Sequence, residues 1–203
     1  MQRMAYGGAQ TMVNESLVRA AVIVYFQQNG EDSRKNLKRI RQEQQLGFFW
    51  MDRLVDMLKQ YENQRAHYPT FSAYVPQVGL YYRDLAAHAS EEAKTISAKC
   101  AHVVSIEPFA NHAQNVAPSI ESITIVLDKP LDPNAGYSVD PGMDGKDHYP
   151  ITGKPQFDAG GLHILLPVRL QPSQTYSFVL TPYAFATPDG YPLESYRVDF
   201  KTK

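Results

Sequence analysis

Cysteine is almost missing from this chain of 203 residues. Cys100 stands alone, which excludes an internal disulfide and a cysteine-built metal knuckle. No stretch approaches the roughly 20 apolar residues needed to span a bilayer. Charge of one sign is also lacking. Residues 1–100 carry 13 Lys/Arg against 10 Asp/Glu, and residues 101–203 carry 7 against 11. Those balances are too mild for an electrostatic footprint on nucleic acid or an anionic membrane. No G-x-S-x-G elbow and no Gly-rich phosphate loop occurs; Gly7-Gly8 and Gly160-Gly161 read as turns. None of the six histidines (His67, His88, His102, His112, His148 and His163) begins an H-E-x-x-H. The nearest approach, His88-Ala89-Ser90-Glu91-Glu92, has Glu92 where an inverted H-x-x-E-H needs its last His.

Proline is scarce in one half only. Pro69 and Pro76 precede residue 101, and the other 12 of the 14 follow it. Such a switch of punctuation marks two structural units. The expectation is an α+β chain of two domains: a helical unit over 1–100 and an antiparallel β-sandwich of immunoglobulin-like type over 101–203.

Within the first unit, residues 11–28 read as a helix stopped by Asn29-Gly30. Its middle, residues 17–26, is apolar on every face except at Arg19, so it is expected to be buried all round. Residues 31–45 read as a polar helix with Leu37 and Ile40 as its apolar stripe and Arg34, Lys35, Lys38, Arg39 and Arg41 facing water. Phe49, Trp50, Leu54, Val55, Leu58 and Tyr61 mark an amphipathic third helix to about Asn63. A kinked stretch from Tyr68 to Pro76 then leads to a further helix with Val78, Tyr81, Tyr82 and Leu85 inside. Residues 90–99 read as a last short helix or a polar connector.

Beyond Cys100, β-branched and aromatic segments at 102–107, 122–127, 162–168, 175–180 and 196–201 read as strands, and turn signals separate them. About seven strands in some hundred residues without helical period give the sandwich profile. The absence of a Cys…Trp…Cys core excludes an antibody-type domain. Three stretches, Ile123 to Asp132, Leu170-Gln171-Pro172-Ser173-Gln174-Thr175-Tyr176 and Asp189-Gly190-Tyr191-Pro192-Leu193 with a closing Phe200-Lys201-Thr202, resemble bacterial Ig-like modules of the SbsA type. The resemblance covers nearly all of 101–203. It implies a fold rather than an activity, and attachment to secreted or surface proteins.

The sharpest chemical candidate is Asn14-Glu15 with Arg19. Glu15 and Arg19 are four apart and share one helix face. A carboxylate in an apolar helix needs a charged partner or a metal, and the plainer reading is a structural ion pair. Asn14-Glu15-Ser16-Leu17-Val18-Arg19-Ala20 resembles the second helix of gluzincin-type zincin metallopeptidases, and the layout is similar to the end of gut-bacterial secreted proteins joining a zincin-like domain to an Ig-like module. That resemblance implies Glu15 as third zinc ligand and Asn14 and Arg19 as its supporting neighbours. Zinc-activated water would then attack a peptide carbonyl. The two His ligands and the base would lie upstream of Met1, so the isolated chain is expected to bind no cofactor and to be inactive.

The start, Met1-Gln2-Arg3-Met4, leads into Tyr6-Gly7-Gly8 rather than an apolar signal core. It leaves open an intracellular protein or a chain whose natural start lies elsewhere. The resemblance implies a secreted, periplasmic or cell-surface location and a peptide or protein substrate.

The rival expectation is a non-enzymatic binding or structural module whose sandwich loops contact protein or glycan. Under it, Glu15→Gln leaves Arg19 buried and unpaired at about 3–5 kcal/mol. Weaker candidates are Glu62 with Arg65 as a helix-end pair and a groove of tyrosines at 25, 61, 68, 74, 81 and 82. A loop-rich aspartate group, Asp140, Asp144, Asp147 and Asp158, fits exposed turn chemistry better than calcium.

Overall fold

The computed structural model describes residues 8–203. Gly7 and the residues before it, including half of the Gly7-Gly8 turn, lie outside that range. Contacts divide the chain into two compact units, Met1–Ala98 and Lys99–Lys203. No helix among the described residues is long and apolar enough to cross a membrane.

The first unit holds α1 (Ala9–Gln28), α2 (Ser33–Gln45), α3 (Met51–Asn63) and most of α4 (Phe71–Lys99). The stop after α1 takes the form its residues dictate. Asn29 ends the helix, Gly30 follows at φ 78, and Glu31 N donates back to Phe26 O at 3.1 Å. A left-handed residue there satisfies the last carbonyls and favours glycine. Asp32 then caps α2, accepting from Arg34 N at 2.9 Å and Lys35 N at 3.3 Å. The core of this unit gathers Ala20, Ile23 and Val24 of α1, Leu54, Leu58 and Tyr61 of α3, and Phe48 and Trp50 between α2 and α3.

Three expectations for this unit are corrected. Helix α1 is not buried all round: Ser16, Ala20, Ile23 and Val24 are inside, while Val18 and Tyr25 are each 61% exposed. Three neighbouring helices reach only one side of it. Arg41 does not face water, because Asp52 Oδ2 at 2.7 Å and Gln44 Oε1 at 2.8 Å accept its guanidinium and make burial affordable in energy. The buried positions of α2 are Asn36, Ile40, Arg41 and Gln44, with Leu37 only half-buried. Residues 71–99 form one 29-residue helix, not a kinked segment, a helix and a connector. Pro76 lies inside it and removes one hydrogen bond near its start. Tyr74, Val78 and Leu85 supply the buried side that holds the helix in place.

The second unit is a β-sandwich of two antiparallel sheets. Strands β1 (Val103–Glu107), β2 (Ser122–Leu127), β5 (His163–Pro167) and β4 (Gln156–Phe157) make one, in that order. Strands β3 (Val139–Asp140), β6 (Thr175–Leu180) and β7 (Tyr196–Lys201) make the other. Alternation sets the facing. Ile123, Ile125, Ile164 and Leu166 of the first sheet share a core with Phe178, Leu180, Val198 and Phe200 of the second. Two of the sequence patterns meet at one corner. Tyr176 OH accepts from Gln171 N at 2.8 Å, and Thr202 Oγ1 donates to Gln171 O at 2.6 Å.

Candidate functional site

Helix α1 carries Asn14, Glu15 and Arg19, of which Glu15 and Arg19 lie one turn apart and are half-buried. Asn14 is exposed and accepts a hydrogen bond from Gln10 Nε2 at 2.9 Å. Arg19 Nε and Nη2 lie 3.1 and 2.9 Å from the same oxygen, Glu15 Oε1. Glu15 Oε2 receives no hydrogen bond from the described residues, and the side chain is 41% exposed. Arg19 is held in turn: its Nη1 donates to Glu43 Oε2 at 2.8 Å, and its guanidinium sits 5.3 Å from the centre of the Phe48 ring. The ion pair read from the sequence therefore exists as a triad, Glu15–Arg19–Glu43. Glu43 could not be found by helical spacing, being 24 residues away from Arg19 on α2.

Next to it, Ser16 is fully buried. Its Oγ lies 2.9 Å from Met12 O and 2.7 Å from Tyr82 OH, which ties α1 to α4. Burial raises the Tyr82 phenol above the ordinary tyrosine value, against the Ser16 hydrogen bond that lowers it. Tyr81 is raised strongly, first by burial, with Arg53 opposing. Tyr68, Tyr74, Tyr81 and Tyr82 thus pack into the unit, whereas the largely exposed Tyr25 and the buried Tyr61 line a hollow beside α1.

The remaining candidates resolve into local pairs. Arg65 lies 3.5 Å from Glu62 and 4.8 Å over the Tyr61 ring, at the end of α3. Asp158 accepts from His163, and Asp144 accepts from Ser177 at 2.6 Å beside Arg197. Hydrogen bonds from those partners hold both carboxyls below the usual carboxylate value. Among the described residues, no three His, Cys, Asp or Glu side chains come together as a metal-holding group. A zinc site takes at least three protein ligands. Glu15 offers one, so the described residues do not by themselves fit a zinc ion.

A cleft between α1 and α3 was not legible in the sequence. It consists of two hollows of about 490 and 500 Å3 that share Val24, Gln28 and Glu62. One is largely aliphatic and aromatic, with Leu17, Val18, Leu58, Tyr25, Tyr61 and Phe71 on its walls and Arg65 beside the shared Glu62. The other is polar and includes Gln27, Ser33, Asn36, Lys59 and Asn63. Asn36 is only 3% exposed, and neither its Oδ1 nor Gln27 Oε1 finds a donor among the described residues. The signal available was the four-residue spacing of Asn36, Ile40 and Gln44, which places two amides on the inward side of a polar helix.

Residues 2–79 match the family described as "Domain of unknown function (DUF4932)". No curated protein matches the chain. Among solved structures, the chain is similar to CopC from Methylosinus trichosporium OB3b at 16% identity. That alignment covers 51% of this chain and 93% of CopC, with a TM-score of 0.38. It is also similar to surface layer protein SbsC, domains 1–6, at 15% identity and a TM-score of 0.36. That match covers 96% of this chain and 23% of SbsC, so the chain spans under a quarter of that protein. For the N-terminal part of the bacterial S-layer protein SbsC, identity is 16%, coverage is 96% of this chain and 38% of that one, and the TM-score is 0.36.

Proposed function

We propose that this chain is the C-terminal portion of a secreted zinc metallopeptidase-related protein acting on a peptide or protein substrate. In this reading Glu15 is the third zinc ligand and another segment brings the two His ligands and the general base. One observation supports it above the others: the two oxygens of Glu15 are treated differently. Arg19 pins Oε1, and Oε2 stands without a donor among the described residues. A purely structural pair on a helix surface has no need of a guanidinium itself anchored on a second carboxylate and an aromatic ring. An anchored Arg19 holds the Glu15 carboxylate in place through Oε1 before a metal arrives at Oε2, which is the work of a residue behind a metal ligand.

The test is made on the native gene product. Peptide mapping asks whether an H-E-x-x-H segment precedes Met1, and elemental analysis measures zinc in the wild type and in Glu15→Gln. The reading expects such a segment, about one zinc per chain, and loss of that zinc in the variant with an unchanged thermal transition. A product that begins at Met1, or zinc content indifferent to Glu15→Gln, overturns it.

A second reading, a non-enzymatic binding module, draws on a different observation, the open cleft between α1 and α3. Under it the Glu15–Arg19–Glu43 triad only ties α1 to α2.

A further inference from the structure

Asparagine is followed by glycine once in this chain, at Asn29-Gly30; the six other asparagines precede Glu, Leu, Gln, His, Val or Ala. The pair closes α1, and both residues are exposed. An asparagine side chain can bring its amide carbon, Cγ, to the backbone nitrogen of the next residue. Glycine presents that nitrogen with no side chain in the way and with a freely turning backbone. At Gly30 nothing lies within 4 Å of an added Cβ, so the approach is open. The closed helix end restrains the reaction. Asn29 Nδ2 donates to Tyr25 O at 2.8 Å, Asn29 N donates to the same oxygen at 3.0 Å, and Glu31 N donates to Phe26 O at 3.1 Å. Gly30 N donates to Gln27 O at 3.4 Å, the longest of the four. The attacking nitrogen is thus the donor that the turn holds least.

We infer that Asn29 is a site of spontaneous covalent modification, with water as co-reactant, gated by opening of the last turn of α1. When the turn opens, Gly30 N gives its proton to solvent and attacks Asn29 Cγ. The N–Cγ bond forms, the Cγ–Nδ2 bond breaks, and Nδ2 leaves as ammonia, which yields a cyclic imide. Water then adds to one of the two imide carbonyls. Cleavage between Gly30 N and Cγ gives aspartate. Cleavage between Gly30 N and the main-chain carbonyl carbon gives isoaspartate, whose main chain is one methylene longer. Nothing is oxidised or reduced. Either product undoes the helix stop. The donor to Tyr25 O becomes a carboxylate, and its charge meets the negative end of the helix dipole. Isoaspartate also displaces Gly30, whose φ of 78 lets Glu31 N reach Phe26 O. A turn that has opened and reacted therefore does not close as before. Tyr25 and Gln28, on the wall of the hollow beside α1, belong to that turn. The inference does not depend on Glu15 or on zinc.

The test incubates the full chain in warm neutral buffer beside a free peptide of residues 25–34. Peptide mapping by mass spectrometry and an isoaspartate assay follow both. Conversion is expected at Asn29 and at no other asparagine. It should run about tenfold slower than in the peptide, the factor that an opening free energy of about 1.4 kcal/mol gives. Urea below the unfolding transition should narrow that gap. The gain in mass from amide to acid separates Asn29 from Asp144-Gly145 and Asp189-Gly190, whose isomerisation leaves the mass unchanged. Four results would each overturn the inference: an intact Asn29 while the peptide converts, conversion at the peptide's own rate, a rate that urea leaves unchanged, or equal conversion at the other asparagines. Asn29→Asp mimics one product, and Asn29→Gln is its neutral control. Amide exchange at Gly30 and Glu31 should be about two- to fivefold faster in the first than in the second. Equal exchange would overturn the effect on the helix stop. No arm involves zinc, so this outcome and that of the zinc test are read separately.

Discussion

Arg19 Nη1 donates to Glu43 Oε2 at 2.8 Å, joining the middle of α1 to the end of α2. The bond changes what Glu15 is worth to the fold. On sequence grounds, removing the Glu15 charge would leave a buried, unpaired Arg19 and cost several kcal/mol. In the structure Arg19 keeps Glu43, and Glu15 is the more exposed of its two partners, at 41% against 18%. Glu43→Gln is therefore expected to cost about 1–2 kcal/mol, and Glu15→Gln no more than about 0.5 kcal/mol. Urea unfolding of both variants checks the order. A larger loss for Glu15→Gln would mean that Glu15, rather than Glu43, anchors the arginine.

Alkali should act on the helical unit through its buried phenols. Burial is the first cause that raises Tyr74, Tyr81 and Tyr82 above the ordinary value of 10.0. Their folded values exceed the unfolded one. The stability they contribute is thus fully present below pH 10.0 and is lost as pH rises through the folded values. The unfolding midpoint in urea should fall steadily above that pH. In Tyr82→Phe the fall should be shallower, at a cost near neutrality of about 1 kcal/mol from the lost bond to Ser16. Tyrosinate absorbance gives an independent check: ionisation of all the tyrosines near the ordinary value, with helical circular dichroism intact, would contradict this account.

The strands and the first helix stop were legible because one local rule governs each of them. Ile123, Ile125 and Leu127 alternate inward as a half-buried strand requires, and Asn29-Gly30 ends α1 through a left-handed glycine. The length of α4 was not legible. Pro76 reads locally as a breaker, but packing of Tyr74, Val78 and Leu85 outweighs one lost hydrogen bond. The candidate site was half legible. Glu15 and Arg19 declare themselves by spacing, whereas Glu43 and the amides of Gln27 and Asn36 reach their places only through tertiary packing. Arg41 misled for the same reason, since its partner Asp52 belongs to a different helix.

Acid should weaken the sandwich through several lowered carboxyls, Asp128 among them. Desolvation raises Asp128, but it is outweighed by the His102 backbone N–H at 2.6 Å, by Lys129 and by the His102 ring, which together hold the carboxyl at about 2. The folded value lies below the ordinary 3.8, so its stabilisation is present above 3.8 and is lost as pH falls toward 2. Asp128→Asn should destabilise at neutral pH and should flatten the decline of the melting temperature between those two values. A decline as steep in the variant as in the wild type would remove Asp128 as its source.

Gly161 offers the most direct test of the sandwich itself. Its φ is +69, and an added Cβ would stand 2.3 Å from Leu131 O, far inside contact distance. Leu131 cannot withdraw cheaply, because its own N–H donates to Gly161 O at 2.9 Å and its side chain belongs to the core. Strain and steric overlap therefore act together, and Gly161→Ala is expected to cost about 2–4 kcal/mol. Gly30 is the control. It has a positive φ of +78 but nothing within 4 Å of an added Cβ, so Gly30→Ala should cost only about 1 kcal/mol. Hydrogen exchange resolves where each effect falls. Gly161→Ala should speed exchange in β2 and β5, which flank the contact, and Gly30→Ala at the end of α1. Equal costs for the two variants would mean that backbone conformation alone, rather than the close approach to Leu131, requires glycine at position 161.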